Sequence, residues 1–151
     1  MADAMTPAEV QAFLHRQIPI SAAMGVRVRA SDAGGVTLVA PLAPNINHRA
    51  TLFGGSASAI AILAAWAWLH LKLRADGQAA RLVIQSNQIS YLSPIAGDFE
   101  ARSVAPPDPT VEKFLRTLRR YGRARIVVGA TLTCGGRKAV AFSGDYVALR
   151  C

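Results

Sequence analysis

Hydrophobic and polar positions along the chain alternate between helical and strand periodicity, and one segment fits neither because it is apolar on every side. Thr6 to Gln17 opens with a Thr-Pro pair suited to an N-cap and first helical turn, with Val10, Phe13 and Leu14 following at helical spacing. This predicts a short N-terminal helical segment within residues 1–18. After Pro19, Val26 and Val28 alternate with Arg27 and Arg29, Gly34-Gly35 marks a turn, and Val36-Thr37-Leu38-Val39 returns, closed by Pro41 and Pro44. That is a β-hairpin pattern. Ser56 to Arg74 is the exception, since Ala57, Ala59, Ala61, Ala64, Ala65 and Ala67 interleave with Ile60, Ile62, Leu63, Trp66 and Leu69. A helix over 56–74 has almost no polar face to offer water and must be enclosed. Gly77 sits where its stop is expected.

Beyond the helix the period returns to two. Leu82 to Leu92 alternates with polar residues on both faces, and Phe99 to Val104 is a shorter run after the Ser93-Pro94 turn. Arg123 to Cys134 and Ala139 to Leu149 are joined at Gly135-Gly136. A Pro-rich loop covers Ala105 to Pro109, and Val111 to Arg120 fits either a short helix or the start of the fifth strand. One apolar helix between a hairpin and a run of antiparallel strands implies an α+β fold with the sheet packed around that helix.

Composition narrows this picture. A length of 151 residues predicts one domain over 1–151, and 52% hydrophobic against 17% charged residues excludes a disordered chain. Cys134 and Cys151 form no disulfide framework or ligand-spaced cluster, so a cytoplasmic protein without metal or cofactor is expected. The start MADAMTPAEVQAF lacks the basic residues and apolar core of a secretory signal. The longest apolar run, Ala57 to Leu69, falls short of the roughly 20 residues that cross a bilayer, so no membrane insertion is expected. The 17 basic and 9 acidic residues give +8, which predicts an anionic partner. The basic residues cluster at Arg116, Arg119, Arg120, Arg123 and Arg125, with Lys113 nearby and Tyr121 as the only interleaved aromatic. Without zinc-finger spacing or an RNA-binding signature, nucleic acid is not the expected partner. The cluster reads as a solvated face or as a phosphate clamp, with Arg120 and Arg123 in contact with substrate, and the same patch would also attract an acidic carrier protein.

Candidate chemistry concentrates in Asn45-Ile46-Asn47-His48-Arg49-Ala50-Thr51-Leu52-Phe53-Gly54-Gly55-Ser56, a polar loop feeding the apolar helix. A helix start presents unpaired N–H groups at the positive end of its dipole, where a carbonyl oxygen gathering negative charge is stabilised. Glycine lets a ligand approach that backbone. Asn45 and Asn47 have two readings, ligand contacts or turn caps. Ser56 reads as the N-cap of the central helix. Trp66 and Trp68 point to different helix faces, so one can line a tunnel while the other packs. His70 reads as a cap at the helix end, and Asp98 as a loop or ion-pair residue or, across a subunit interface, as an acid reaching a shared site.

Asn47, Thr51, Gly54 and Gly55 resemble the Asn-x-x-Gly-Thr-x-His-Gly-Gly motif of hot-dog acyl-CoA thioesterases of the phenylacetate-degradation type. Ser90-Tyr91-Leu92-Ser93-Pro94 with Gly97-Asp98 resembles their Tyr-x-x-Pro turn between the third and fourth strands. The combination FGGS, AAW, YLSP and GDFEA is similar to the thioesterase domain sometimes found fused to an acetyltransferase, over about Pro19 to Ala148. The resemblance implies a hot-dog fold, an antiparallel β-sheet wrapped around one long central helix, in a homodimer that can double to a tetramer. It implies an acyl thioesterase for acyl-CoA or acyl-carrier-protein, with Asn47, Gly55 and His48 in the catalytic roles. Asn45, Thr51, Phe53, Gly54, Ser56 and Trp66 would then bind substrate. Three positions depart from the family pattern: Ile62 stands where a helix carboxylate is expected, Phe53 replaces the histidine, and Ala50 replaces the first glycine. A non-catalytic acyl-thioester-binding or carrier-protein-interacting module is therefore the alternative.

Overall fold

Residues 4–151 are described in a computed structural model of the chain; residues 1–3 of the expected N-terminal segment lie outside the described residues. The element order is α1 (Pro7–Gln17), α2 (Pro19–Ala23), β1 (Arg27–Asp32), β2 (Gly35–Ala40), α3 (Gly54–Ala75), β3 (Ala80–Tyr91), β4 (Phe99–Val104), α4 (Asp108–Tyr121), β5 (Arg123–Cys134) and β6 (Arg137–Arg150). Every strand pairing is antiparallel, in the spatial order β1-β2-β4-β5-β6-β3. The sheet wraps α3, as the apolar pattern requires.

Each element follows from its sequence, with boundary shifts that have local causes. Thr6 caps α1 in a reciprocal capping box, accepting from the Glu9 amide at 3.2 Å while its own N–H donates to the Glu9 carboxylate at 3.0 Å. Such a cap contributes about 1 kcal/mol. Pro19 does not simply break the helix, because it occupies the first turn of the short α2, where its missing N–H costs nothing. The central helix begins at Gly54 rather than Ser56. Phe53 is its N-cap, with φ −61° and ψ 132°, so Ser56 falls inside the first turn and is not the cap. At 22 residues α3 also has the length and mean hydropathy of a bilayer-spanning helix, which the shorter apolar run did not suggest, yet more than half of its apolar stretch is buried inside the fold.

The ambiguous stretch after the Pro-rich loop is helical. Val111, Phe114 and Leu118 recur at i, i+3 and i+7, form one buried stripe, and leave Lys113, Arg116 and Arg120 in solvent. Gly122, at φ 73°, ends α4 in the left-handed conformation and donates to the Leu118 carbonyl at 2.8 Å.

The two sheet edges differ. Along β1, the Gln11 side chain of α1 accepts from the Val28 amide at 3.0 Å, and His15 Nε2 lies 2.7 Å from the Val26 carbonyl. The first helix thereby covers that edge. The other edge, β3, leaves residues 85–88 exposed on both faces, with Val83 and Tyr91 at least half exposed.

Trp66 and Trp68 do lie on different faces. Trp68 is 2% exposed and donates its indole N–H to the Ala33 carbonyl at 3.1 Å. Trp66 is half-buried, donates to the Leu82 carbonyl at 3.0 Å, and stacks with His70 and with Phe13 of α1, which also stack on each other. His70 therefore packs within the stack joining α1 to α3. Burial, and then the nearby Arg74, lower its pKa and favour the neutral ring.

Candidate active site

The loop before α3 is a small hairpin. Phe53 N–H donates to Asn45 O, residues 46 and 52 form an isolated bridge, and Asn47 N–H donates to Thr51 O, leaving His48, Arg49 and Ala50 at the tip. Leu52 N–H donates to Ile95 O, which ties this hairpin to the turn preceding β4.

Both asparagines hold the loop. The Asn45 amide is buried and its Nδ2 donates to Met24 O at 2.9 Å and Pro41 O at 2.8 Å, clasping the loop to the end of β2 and the end of α2. Asn47 Oδ1 accepts from the Arg49 and Thr51 amides at 2.8 and 3.0 Å, and its Nδ2 donates to Thr51 Oγ1 at 2.9 Å. Thr51 is thus the partner of Asn47, and the turn-cap reading describes both asparagines in this chain.

Ala50 sits at φ 60°, the left-handed conformation that glycine adopts without steric cost, at the position where the resembled motif has glycine. Ala50→Gly is expected to raise stability by roughly 0.5–1 kcal/mol, the relief of strain outweighing the extra freedom of the unfolded chain. Urea unfolding of the two proteins measures this, and an unchanged or lowered midpoint would show that the tip carries no strain worth relieving.

Gly54 and Gly55 open α3. Ala57 is the first residue of the helix whose amide reaches a carbonyl, Phe53 O at 3.0 Å, so the Gly54, Gly55 and Ser56 N–H groups have no intrahelical partner. Two aromatic rings flank them. Phe53 is 55% exposed and its ring lies over Gly55, where an added Cβ would come within 2.3 Å of the ring. Tyr91, 56% exposed, donates from its hydroxyl to Gly54 O at 3.1 Å, and an added Cβ at Gly54 would meet its ring at 3.5 Å. The Ser56 hydroxyl makes no hydrogen bond among the described residues. Backbone donors at the positive end of a long helix, walled by aromatic surface, suit a polarised carbonyl attached to an apolar chain.

The other expected site residues are dispersed. His48 sits at the hairpin tip, about 10 Å along the hairpin from the helix start. Trp66 lies twelve residues into α3, about 18 Å from Gly54, and anchors α1 and β3. Arg120 and Arg123 lie at the end of α4 and the start of β5, beside the far end of α3, where Arg119 pairs with Asp76. That end is about 33 Å from Gly54 along the helix. Ile62, at the expected carboxylate position, offers only its backbone, and its carbonyl accepts from the fully buried Tyr146 hydroxyl at 2.7 Å. Burial pushes the Tyr146 phenol far above its ordinary pKa. Among the described residues no cluster of three or more His, Cys, Asp or Glu could hold a metal.

Tyr91 is the site residue that loop reasoning missed as a wall of the helix start. Its signal was present in the YLSP segment, but only the β3–α3 contact gives it that role. A cavity of about 960 Å³ lies elsewhere, at the ends of β1, β2, β4 and β5, lined in part by Arg27, Arg29, Asp98 and Glu100. Asp98 lines that cavity.

Comparison with known proteins agrees with this architecture. The family model described as "Putative thioesterase (yiiD_Cterm)" matches residues 7–150. A protein of unknown function from Chlorobaculum tepidum TLS is 29% identical, with a TM-score of 0.92 and 98% of this chain and 99% of that chain covered. A structure described as the putative thioesterase from Shewanella oneidensis is 27% identical, with a TM-score of 0.85 over 95% of this chain and 96% of that one. The phenylacetic acid degradation protein PaaI from Thermus thermophilus, 18% identical with a TM-score of 0.64 over 88% of this chain and 99% of that one, shares the hot-dog fold.

Proposed function

The chain belongs to this thioesterase family, and from that premise we propose that it hydrolyses acyl thioesters presented by coenzyme A or by an acyl carrier protein. One observation carries the reading: unpaired amides at Gly54, Gly55 and Ser56 open a long apolar helix between the exposed rings of Phe53 and Tyr91. The thioester carbonyl oxygen points at these amides, with Gly55 as the central donor. As water adds to the carbonyl carbon, the π pair becomes an oxyanion that the N–H groups and helix dipole stabilise. Collapse re-forms the C=O bond and expels the thiolate, which takes up a proton, leaving a carboxylic acid and a free thiol. Asn47, Thr51 and Asn45 hold the loop so that the amides stay aligned.

A homodimer completes the site. Because α1 covers the β1 edge while β3 keeps an exposed edge, two copies pair through β3 about a two-fold axis. His48 is the one imidazole of the loop, and from the hairpin tip it serves a site shared with the second copy. The exposed Val83, Val104 and Val127 offer apolar surface for pairing two dimers into a tetramer. We place the protein in the cytoplasm, where Cys134 and Cys151 stay free thiols.

A second reading, a non-catalytic acyl-thioester-binding module, is favoured by the absence of any Asp or Glu from Gly54 to Ala75. A hydrolysis screen of acyl-CoA thioesters of increasing chain length separates the two. Turnover is expected, and Asn47→Ala, which frees the loop, is expected to lower kcat/KM by roughly tenfold or more. No turnover with any thioester, together with measurable acyl-CoA binding, would leave the second reading standing.

A further inference from the structure

We propose that the basic face formed by Lys113, Arg116 and Arg120 on α4 with Arg81, Arg123 and Arg125 on the adjoining strands docks an acidic carrier protein, which delivers its acyl thioester to the helix start of the opposite protomer. This rests on the β3-paired thioesterase reading above and names the carrier.

Burial on α4 fixes which side chains form the face. Val111, Phe114 and Leu118 face the core, so Lys113, Arg116 and Arg120, one turn apart, share the exposed flank. On β5, Ala124 and Ile126 are buried, which turns Arg123 and Arg125 outward. The register continues the patch across the sheet, since Leu149 of β6 pairs with both Arg123 and Arg81. None of these six cations is in an ion pair among the described residues. Asp76 is held by Arg119, and the acids that border the patch are Glu112, one turn before Arg116, and Asp145 of β6, diagonal to Arg125 in the register.

Antiparallel pairing about a two-fold axis gives that face a use. The start of β3, which carries Arg81, comes to lie beside the end of the partner's β3, and in each protomer the end of β3 holds the helix start through Tyr91. The basic face of one protomer thus borders the reaction centre of the other, although the two are about 33 Å apart within one chain. The breadth of the patch decides its occupant. Lys113 to Arg120 alone spans about 10 Å of helix, and strand cations extend it across three elements, more than the phosphates of one nucleotide engage. An acidic protein surface matches that span and charge.

The test uses the full chain and Lys113→Glu/Arg116→Glu with one acyl group on three carriers: an acidic bacterial acyl carrier protein, coenzyme A and N-acetylcysteamine. The variant is expected to lose at least about tenfold in kcat/KM with the carrier protein, while the coenzyme A and N-acetylcysteamine thioesters are turned over as before. The carrier-protein rate of the wild type should also fall at high salt. An equal loss on all three thioesters, no loss on any, or a matching loss on coenzyme A would overturn the proposal; the last would assign the face to nucleotide phosphate. Titration of each protein with unacylated carrier protein reads docking without turnover. Carrier binding that the variant loses supports the proposal even where no thioester is hydrolysed, a result that would sink only the enzyme reading. No binding by the wild type at low salt would overturn the docking face whatever the hydrolysis data show.

Discussion

Gly55→Pro is expected to turn over acyl thioesters about 10²- to 10³-fold more slowly than Gly55→Ala, the effect of removing one preorganised backbone donor from an oxyanion. The comparison is between two variants because any Cβ at this position meets the Phe53 ring, which must swing aside in both. They differ in the amide: alanine keeps the N–H that points out of the first turn of α3, whereas proline deletes it. Proline is tolerated in the first helical turn, where this N–H has no intrahelical partner, so α3 should persist in both variants. Equal kcat values for two folded variants would remove Gly55 from the oxyanion site and shift the role to Gly54 or Ser56. A loss in KM alone would mean that the amide binds substrate and transition state equally.

Trp68→Ala should cost about 3–5 kcal/mol of folding stability, the range for deleting a large buried aromatic side chain. Trp68 is 2% exposed inside the sheet, and its loss would leave a cavity and strip the Ala33 carbonyl in the β1–β2 turn of its donor. Against a total stability of about 5–15 kcal/mol, that loss is a large fraction. Urea unfolding followed by circular dichroism, at one protomer concentration for both proteins, measures it. Trp66 is the internal comparison, because its ring is half-buried and stacked on His70 near the surface. A cost at Trp68 below that at Trp66 would contradict the packing described.

How far the site could be read in advance differs residue by residue. Gly54 and Gly55 were legible as a ligand-binding helix start because the information is local: two glycines, an apolar helix and unpaired amides lie within a few residues of one another. Ser56 has the residue type of a cap, yet the helix starts two residues earlier, with the Phe53 backbone in the extended conformation that precedes it. The sequence leaves the asparagines as ligand contacts or turn caps, and their hydrogen-bond partners at Met24, Pro41 and Thr51 come together only in the folded loop. Trp66 lies about 18 Å along the helix from the amides, and its packing on His70 and Phe13 depends on how α1 meets α3.

The α+β class, the enclosed central helix, the antiparallel strands and the basic cluster followed from the sequence alone, because the period and hydropathy of a segment depend on nearest neighbours along the chain. The helical state of residues 108–121 could be seen only as one of two readings, and burial of Val111, Phe114 and Leu118 against β5 resolved it. Tertiary structure alone decided that the arginine cluster and the glycine amides stand at opposite ends of one helix, that Tyr91 walls the site, and that the β1 edge is covered while β3 is exposed. Those are relations between residues tens of positions apart. They arise when a 22-residue helix separates the groups at its ends while sheet pairing brings distant segments into contact.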